Sequence, residues 1–553
     1  MTTWQQRTLA LAQRPEQGGL TGWTSSRDHK RIGLLTIGTA LGLFLLMGAL
    51  ALTMRTQLAQ PNEHVVGAAV YDQLFTIHGS GMIYLVVTPL AIGLGVYVVP
   101  LQVGAPVIAA PRLTLIGYWM YAFGAACVLS GFLTADGAAA DGWTAYAPLS
   151  DSQQSPGVGF DLWLVGTFLA TVGMMCQGGT VLWTVLRLRA PQMSMMRVPV
   201  FSWSEVATCL MVIMAFPSLL TALGMLAIGR IHPQVFDSNV WNIGYQDLFW
   251  FYGHPVVYVM FFPFVGAVAE VLATFARRKY FGYTATVLAL LAFAGLSMSV
   301  WGHHMFTTGQ NADDYYSLTS TLLAIPAGLE YFGFLGTIVG GRLSYRTPML
   351  FALAFIPQFL VGGLTGIMVS TPAIDAQFQD TYFVVAHFHY TLFAGSVFGL
   401  FAGLYYWFPK MTGYMFDERL GRLHFVLMVI GTNVTFLPMF GLGFMGMPRR
   451  ISSYSEPGWG TLNLVSSIGA FTIGLSMLVL IYNVIRTFMN KIPAGDDPWG
   501  GTTVEWATSS PPPRFNFDAA HPLPPITGFA PLLDLREREQ EQQRELAGSG
   551  STS

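Results

Sequence analysis

Six of the eleven histidines, His78, His254, His303, His304, His387 and His389, lie inside or at the edge of long apolar runs. Neutral imidazole is a ligand for copper, iron and zinc. No thiolate pair or carboxylate cluster accompanies them, which argues against iron–sulfur and hard-cation sites. Spacing divides the six. His387 and His389 are two apart, so on a helix they point about 200° from one another and must serve two different centres. His303 and His304 are adjacent and can meet one metal only where a helix loosens, as Gly302 and the end of the apolar run allow. With His254 they make three imidazoles for one copper. The cysteines, Cys127, Cys176 and Cys209, stand at no motif spacing and read as small core residues.

Such ligands need rigid elements, and composition says of what kind. Of 553 residues only 10% are charged, while 53% belong to the hydrophobic set and 14% are aromatic. Ordinary globular chains carry roughly 25% charged residues, so a set of soluble domains is excluded, and so is a disordered chain. An all-α polytopic membrane protein remains. Twelve apolar runs lie near 31–54, 79–103, 114–135, 160–186, 203–229, 246–276, 282–302, 318–340, 349–369, 382–406, 424–446 and 464–487, each long enough to span a bilayer. The first reads as a span rather than a cleaved leader, since no small-residue cleavage site precedes a soluble body. Twenty-three of the 27 Lys and Arg fall in one alternate set of connections, and only Arg55, Arg230, Arg449 and Arg450 in the other. This asymmetry predicts that both termini are cytoplasmic. Residues 1–30 form an N-terminal segment and 31–490 the twelve-helix domain. Residues 491–553, with Pro511-Pro512-Pro513 and a charged run from Arg536 to Glu545, read as a polar, partly disordered cytoplasmic tail.

With that topology the six histidines share one level, in the outer part of the bilayer, on four spans. Intramembrane polar residues are costly and mark function. Haem iron takes axial histidines, and the count closes. His78 with His389 suits a six-coordinate haem, His387 a five-coordinate haem with an open face, and His254, His303 and His304 a copper opposite that face.

The landmarks Asp28-His29-Lys30, Phe75-Thr76-Ile77-His78-Gly79, Gly142-Trp143-Thr144-Ala145-Tyr146, His254-Pro255-Val256-Val257-Tyr258, Trp301-Gly302-His303-His304-Met305-Phe306, His387-Phe388-His389-Tyr390 and Met447-Pro448-Arg449-Arg450 occur in this order. On them, the chain from about 21 to 490 resembles subunit I of the haem–copper terminal oxidases, nearest to the cytochrome c oxidase type. The resemblance implies twelve helices surrounding two haems and a copper, and reduction of O₂ to water by four electrons and four protons. It implies that Tyr258 is covalently joined to His254 and supplies a proton and an electron for O–O cleavage; their i,i+4 spacing puts both on one helix face. Arg449 and Arg450 match positions that pair with haem propionates, Arg55 the arginine at the low-spin haem formyl group, and Trp143 belongs with the cofactor-binding residues. Haem A is therefore expected. Arg230 reads as a plain interfacial cation. The resemblance also implies a bacterial inner-membrane complex with a dicopper-bearing subunit II, a subunit III and cytochrome c as donor, surrounded by lipid and without nucleic acid.

The departures concern protons. Val96, Val107 and Val256 replace polar residues of one proton pathway in relatives, which argues that this pathway is lost. Tyr252-Gly253 keeps half of a Tyr-Ser pair used elsewhere. Glu330, in Pro326-Ala327-Gly328-Leu329-Glu330, stands where relatives have a lysine, and Glu270 where they have a histidine. A buried carboxyl can still carry protons, so Glu270 and Glu330, with Thr319, Thr321 and Ser297, are the expected route to Tyr258. Gln379-Asp380 replaces a His-Asp pair that ligates magnesium, leaving Asp380 as a half-site.

Three other kinds of protein share parts of this pattern. A quinol oxidase shares this scaffold and differs in its donor. A nitric oxide reductase needs glutamates beside the histidines, where Val256 stands. A twelve-span transporter should show an internal repeat and a midplane site, and no repeat is evident.

Overall fold

The computed structural model describes residues 18–236, 239–309 and 311–549. Arg7, Arg14 and most of the N-terminal segment lie outside them. Among the described residues there are twelve helices long and apolar enough to cross a membrane. They are α1 (His29–Gln57), α2 (Ala68–Gln102), α3 (Pro111–Leu133), α4 (Val158–Leu188), α5 (Val200–Ile231), α6 (Val240–Phe275), α7 (Tyr283–Thr308), α8 (Asp313–Ile338), α9 (Thr347–Val369), α10 (Tyr382–Thr412), α11 (Glu418–Phe444) and α12 (Pro457–Asn490). Caps set several starts: Asp28 accepts from the Lys30 amide, Asp417 from those of Arg419 and Leu420, and Thr381 from that of Phe383.

Burial ranks the helices. In α2 and α6, 89% of the most apolar stretch is buried, against 33% in α1, α8, α9 and α12, so α2 and α6 are central. The outer helices show large apolar side chains such as Phe332, Leu364, Phe471 and Leu478 on their free faces, as a lipid-facing surface requires. Glycines bring neighbours together. A Cβ on Gly117 would lie 2.6 Å from the Gly173 carbonyl, and one on Gly124 2.5 Å from that of Gly166, so α3 and α4 touch backbone to backbone.

The helices that carry histidines are irregular at them. In α2 the α-helix ends at Ser80, and π-type turns follow over Gly81–Val87. In α10 the α-helix ends at Phe388, and π-type turns run over His389–Val397. The last turns of α7, Trp301–Thr308, are 3₁₀. π-type turns within helices are frequent at functional sites.

The segment after α12 differs from the expected partly disordered tail. It folds back under the bundle, and Val504, Glu505, Trp506 and Asn516 are fully buried. Lys410 Nζ, itself buried, donates to the carbonyls of Asp496 (3.0 Å), Thr508 (2.6 Å) and Ser509 (3.3 Å). Asn516 takes hydrogen bonds from Lys30 (3.0 Å) and donates to the Ala105 carbonyl (2.7 Å). A last helix, Pro531–Ser549, is tied by Asp534 to Lys279 at 2.6 Å. The segment's average polarity concealed a few apolar anchors (Trp499, Val504, Trp506, Ile526) that have a hydrophobic surface to cover. The end of the bundle that it covers is the tail face.

Candidate metal centre

His254 on α6 and His303 and His304 at the loosened end of α7 come together. One ring nitrogen of each lies within 4.8 Å of the others. His254 Nδ1 and His304 Nε2 are 3.2 Å apart, as are His303 Nε2 and His304 Nε2. The 3₁₀ turns let two adjacent residues aim at one point, as the sequence required. The opposite nitrogen of His303, Nδ1, is 2.7 Å from the Ser320 hydroxyl of α8. That hydroxyl gives its only proton to the Tyr316 carbonyl, so Nδ1 carries the imidazole proton and Nε2 keeps a lone pair facing the cluster. The ring of Trp250 stacks on His304 at 3.9 Å, and its Nε1–H donates to the Tyr146 hydroxyl at 2.6 Å. Tyr258 stands edge-on to His254, ring centres 4.8 Å apart, while His254 Nε2 is buried with no hydrogen-bond partner.

The three other histidines share one design. Nδ1–H of His78 donates to the Met47 carbonyl at 2.9 Å, that of His387 to Gly362 at 3.1 Å, and that of His389 to Val385 at 2.8 Å. Each ring is thereby fixed in the tautomer that offers Nε2 to a metal. His78 and His389 lie near one another, and His387 lies near His303 and His304. His387 leans on Gly366, where a Cβ would come within 3.0 Å of its Cε1, whereas His389 stacks on Phe436 at 4.4 Å. The two therefore face different sides of α10. All five histidines other than His254 are only part-buried although they lie in the spans. They border internal space, as ligands to large planar groups must.

Trp143 links the two regions. It meets Gly79, next to His78, and packs edge-on against Trp250 at 5.6 Å, behind His304. Arg55 Nη2 is held by the Asn463 carbonyl at 2.8 Å, while its Nη1 is buried with no hydrogen-bond partner, a donor aimed into the interior. Arg450 lies over the Phe75 ring at 5.8 Å, and burial and the adjacent Arg449 lower its guanidinium to about 10. An anionic ligand would relieve that repulsion. Arg449 is already paired with Asp380, 2.6 Å from Nε to Oδ1; this pair neutralises the carboxylate that a magnesium ion would need. Arg230 is more than an interfacial cation: it bonds Asp161 at 2.7 Å and the carbonyls of Asp151, Ser155 and Gly157, pinning the loop that ends in α4.

The expected proton residues are only partly gathered. Glu330 is buried on the inward face of α8, and its Oε1 has no partner. Glu270 accepts from the Phe201 amide at 3.3 Å. Tyr280 is near both carboxyls. Thr321 is exposed and bonds its own helix, and Thr319 bonds carbonyls of Ser299 and its own helix. Neither helps Glu330, because the inward stripe of α8 runs through Ser320, Leu323, Pro326 and Glu330. Ser297 bonds the Ala294 carbonyl and Met211 sulfur. Residues the sequence did not reveal are Ser320, Trp250, Asp375, Glu205 and Glu505. Asp375 is buried near Asp380, and burial, then Asp380, push it up to about 7. Ser320 had a signal: steps of three and four residues through Leu323 and Pro326 join it to Glu330.

Twelve spans enclosing a histidine triad and three separately anchored histidines define subunit I of a haem–copper oxidase. The chain belongs to the family of cytochrome c and quinol oxidase polypeptide I, which matches residues 31–472. It is 46% identical over 526 residues to a probable cytochrome c oxidase subunit 1-beta of Nocardia farcinica, covering 94% of this chain and 89% of that one. It is 47% identical over 521 residues to a putative cytochrome c oxidase subunit 1-beta of Streptomyces coelicolor, covering 93% and 90%. Cytochrome c oxidase subunit 1 of Corynebacterium efficiens is 43% identical over 535 residues, covering 95% and 92%. A haem–copper terminal oxidase dimer solved by cryo-electron microscopy shares the fold, with a TM-score of 0.69, 17% identity, and coverage of 83% of this chain and 84% of that one.

Proposed function

We propose that this chain is the O₂-reducing subunit of a respiratory terminal oxidase in a bacterial cytoplasmic membrane, with the tail face cytoplasmic. Electrons come from cytochrome c through a dicopper-bearing subunit II, and a subunit III completes the complex. His78 and His389 hold a low-spin haem, His387 a high-spin haem, and His254, His303 and His304 a copper; both haems are haem A. When bound, these groups supply electron transfer and the site at which O₂ is reduced. Arg55, Arg449, Arg450 and Trp143 hold the haem edges, with Arg55 offering its free Nη1.

The observation that carries this reading is the pairing of one triad with three histidines whose Nδ1–H is each tied to a backbone carbonyl. Tyr258, one turn beyond His254, gives up its phenolic proton beside the triad; its edge-on contact with the His254 ring supports this. Glu330 and Glu270 carry protons toward it from the tail face, with Tyr280 near both. Beside the triad, Trp250 stacked on His304, with Trp143 and Phe249 packed behind it, excludes bulk water.

Optical spectra of the reduced, purified complex, with metal analysis, test the reading. Two haem A signals and one copper in this subunit are expected; iron without copper would overturn it. Oxygen uptake driven by reduced cytochrome c, rather than by quinol, tests the donor.

A further inference from the structure

Glu205 is used by none of the chemistry above, yet it is a carboxyl buried inside the bundle. It is fully buried on α5, and neither carboxylate oxygen has a hydrogen-bond partner. Among the described residues no cation acts on it, and it meets Gly95 of α2 and lies near Cys209 one turn on. A Cβ on Gly95 would come within 2.6 Å of the carboxyl carbon and Oε2, so only glycine leaves the carboxyl the room it occupies against α2. Val96, the next residue, offers no polar atom. A fold keeps an unpaired intramembrane carboxyl only where a proton or water completes it, and such groups mark proton routes.

Other buried polar side chains stand on α2 and α5 to either side of it, some paired and some not. On the tail side, Gln102 lies two turns below Gly95 and Ser202 one turn below Glu205. Ser202 donates to Gln102 Oε1 at 2.8 Å, and Gln102 Nε2 donates to Glu505 Oε1 at 3.1 Å. Glu505 Oε2 has no partner. This carboxyl comes from the folded-back tail, beyond the residues matched to the family. On the other side, Thr208 is one turn above Glu205, and Thr88 two turns above Gly95; both hydroxyls are buried and unpartnered. One turn beyond Thr88, Tyr84 stacks on Tyr252 of α6, two residues before His254. Buried oxygens without protein partners are where ordered water binds.

We propose that Glu205 is a proton-carrying residue for O₂ reduction, on a water file between α2 and α5 that the tail opens through Glu505. This rests on the function proposed above. In each step the O–H bond of the protonated Glu205 breaks and its proton joins water held at Thr208 and Thr88. The carboxylate regains a proton from the aqueous phase at the tail face, through Glu505 and water held by Gln102 and Ser202. No electron moves in the step. The file is a second route beside Glu330.

The test uses the intact complex in lipid nanodiscs, with turnover and reduced-minus-oxidised infrared difference spectra of wild type, Glu205→Gln and Glu205→Asp. The wild-type optical spectrum and metal content judge the parent reading independently. Glu205→Gln should keep haem and copper, lower oxygen uptake at least about tenfold, and lose a protonated-carboxyl band that shifts in D₂O. Glu205→Asp should restore part of both. Wild-type turnover with unchanged carboxyl bands in Glu205→Gln would overturn the proposal. Should neither Glu205 variant assemble, the Glu330→Gln complex decides. A D₂O-sensitive carboxyl band that responds to reduction must persist there, and its absence overturns the proposal equally.

Discussion

Replacing Ser320 by alanine isolates one hydrogen bond behind one metal ligand. The Ser320 hydroxyl accepts from His303 Nδ1 at 2.7 Å and spends its own proton on the Tyr316 carbonyl. Alanine is a better helix former than serine, and Ser320 is buried, so α8 persists and no surface changes. What is lost is the acceptor that fixes the proton on Nδ1. The direct loss is about 1 kcal/mol. Freed from its anchor, the ring also populates the tautomer with the proton on Nε2, which cannot ligate. Loss of such a partner typically lowers metal affinity about 10–100-fold, or about 1.4–2.8 kcal/mol. The assay is copper retained by the purified complex during titration with a chelator, with the optical haem spectra as a control for folding. The midpoint for copper loss should move by one to two decades (about 10–100-fold), with haem content unchanged. Ser320→Thr, which keeps the hydroxyl, should retain most of the copper affinity. An unchanged midpoint in Ser320→Ala would refute the reasoning that Ser320 sets the His303 tautomer.

Glu330→Gln should suppress O₂ reduction while leaving haem absorption intact; turnover equal to wild type would remove Glu330 from the proton supply. Lys410→Met strands three carbonyls that now accept from Nζ. A loss of about 3 kcal/mol would raise the opening of residues 491–530 about 100-fold, readable by hydrogen exchange; unaltered protection would show that the tail docks without it. Burial pushes the Glu505 carboxyl above its ordinary range, even with bonds from Gln102 and Trp407. The docked tail therefore holds a proton that a released tail gives up, and docking weakens as pH rises from the ordinary carboxylate range through the raised value. Mobility of a spin label on the exposed helix Pro531–Ser549 should follow that trend in wild type and lose it in Glu505→Gln. A label equally pH-dependent in both would contradict the assignment.

Much of the architecture was legible because membrane physics writes it into composition. A span must hide its backbone within an apolar helix, so twelve runs gave twelve helices, and ligand types with their spacing gave the triad. Hydroxyl partners were harder to read. Thr319 and Thr321 flank Ser320 in sequence, but helix phase turns only Ser320 toward His303. The tail misled for a related reason: its polar average says nothing of where Trp506 and Glu505 lodge.

The sequence by itself determined the number of spans, the shared depth of the six histidines and the division of His387 from His389, because these follow from hydropathy and helical period. Only the tertiary structure decided which nitrogen each histidine presents, that Arg449 takes Asp380, and that Glu205 faces Gly95 without a partner. Those depend on atoms brought together from distant spans, where a difference of one helical turn separates a paired group from an unpaired one.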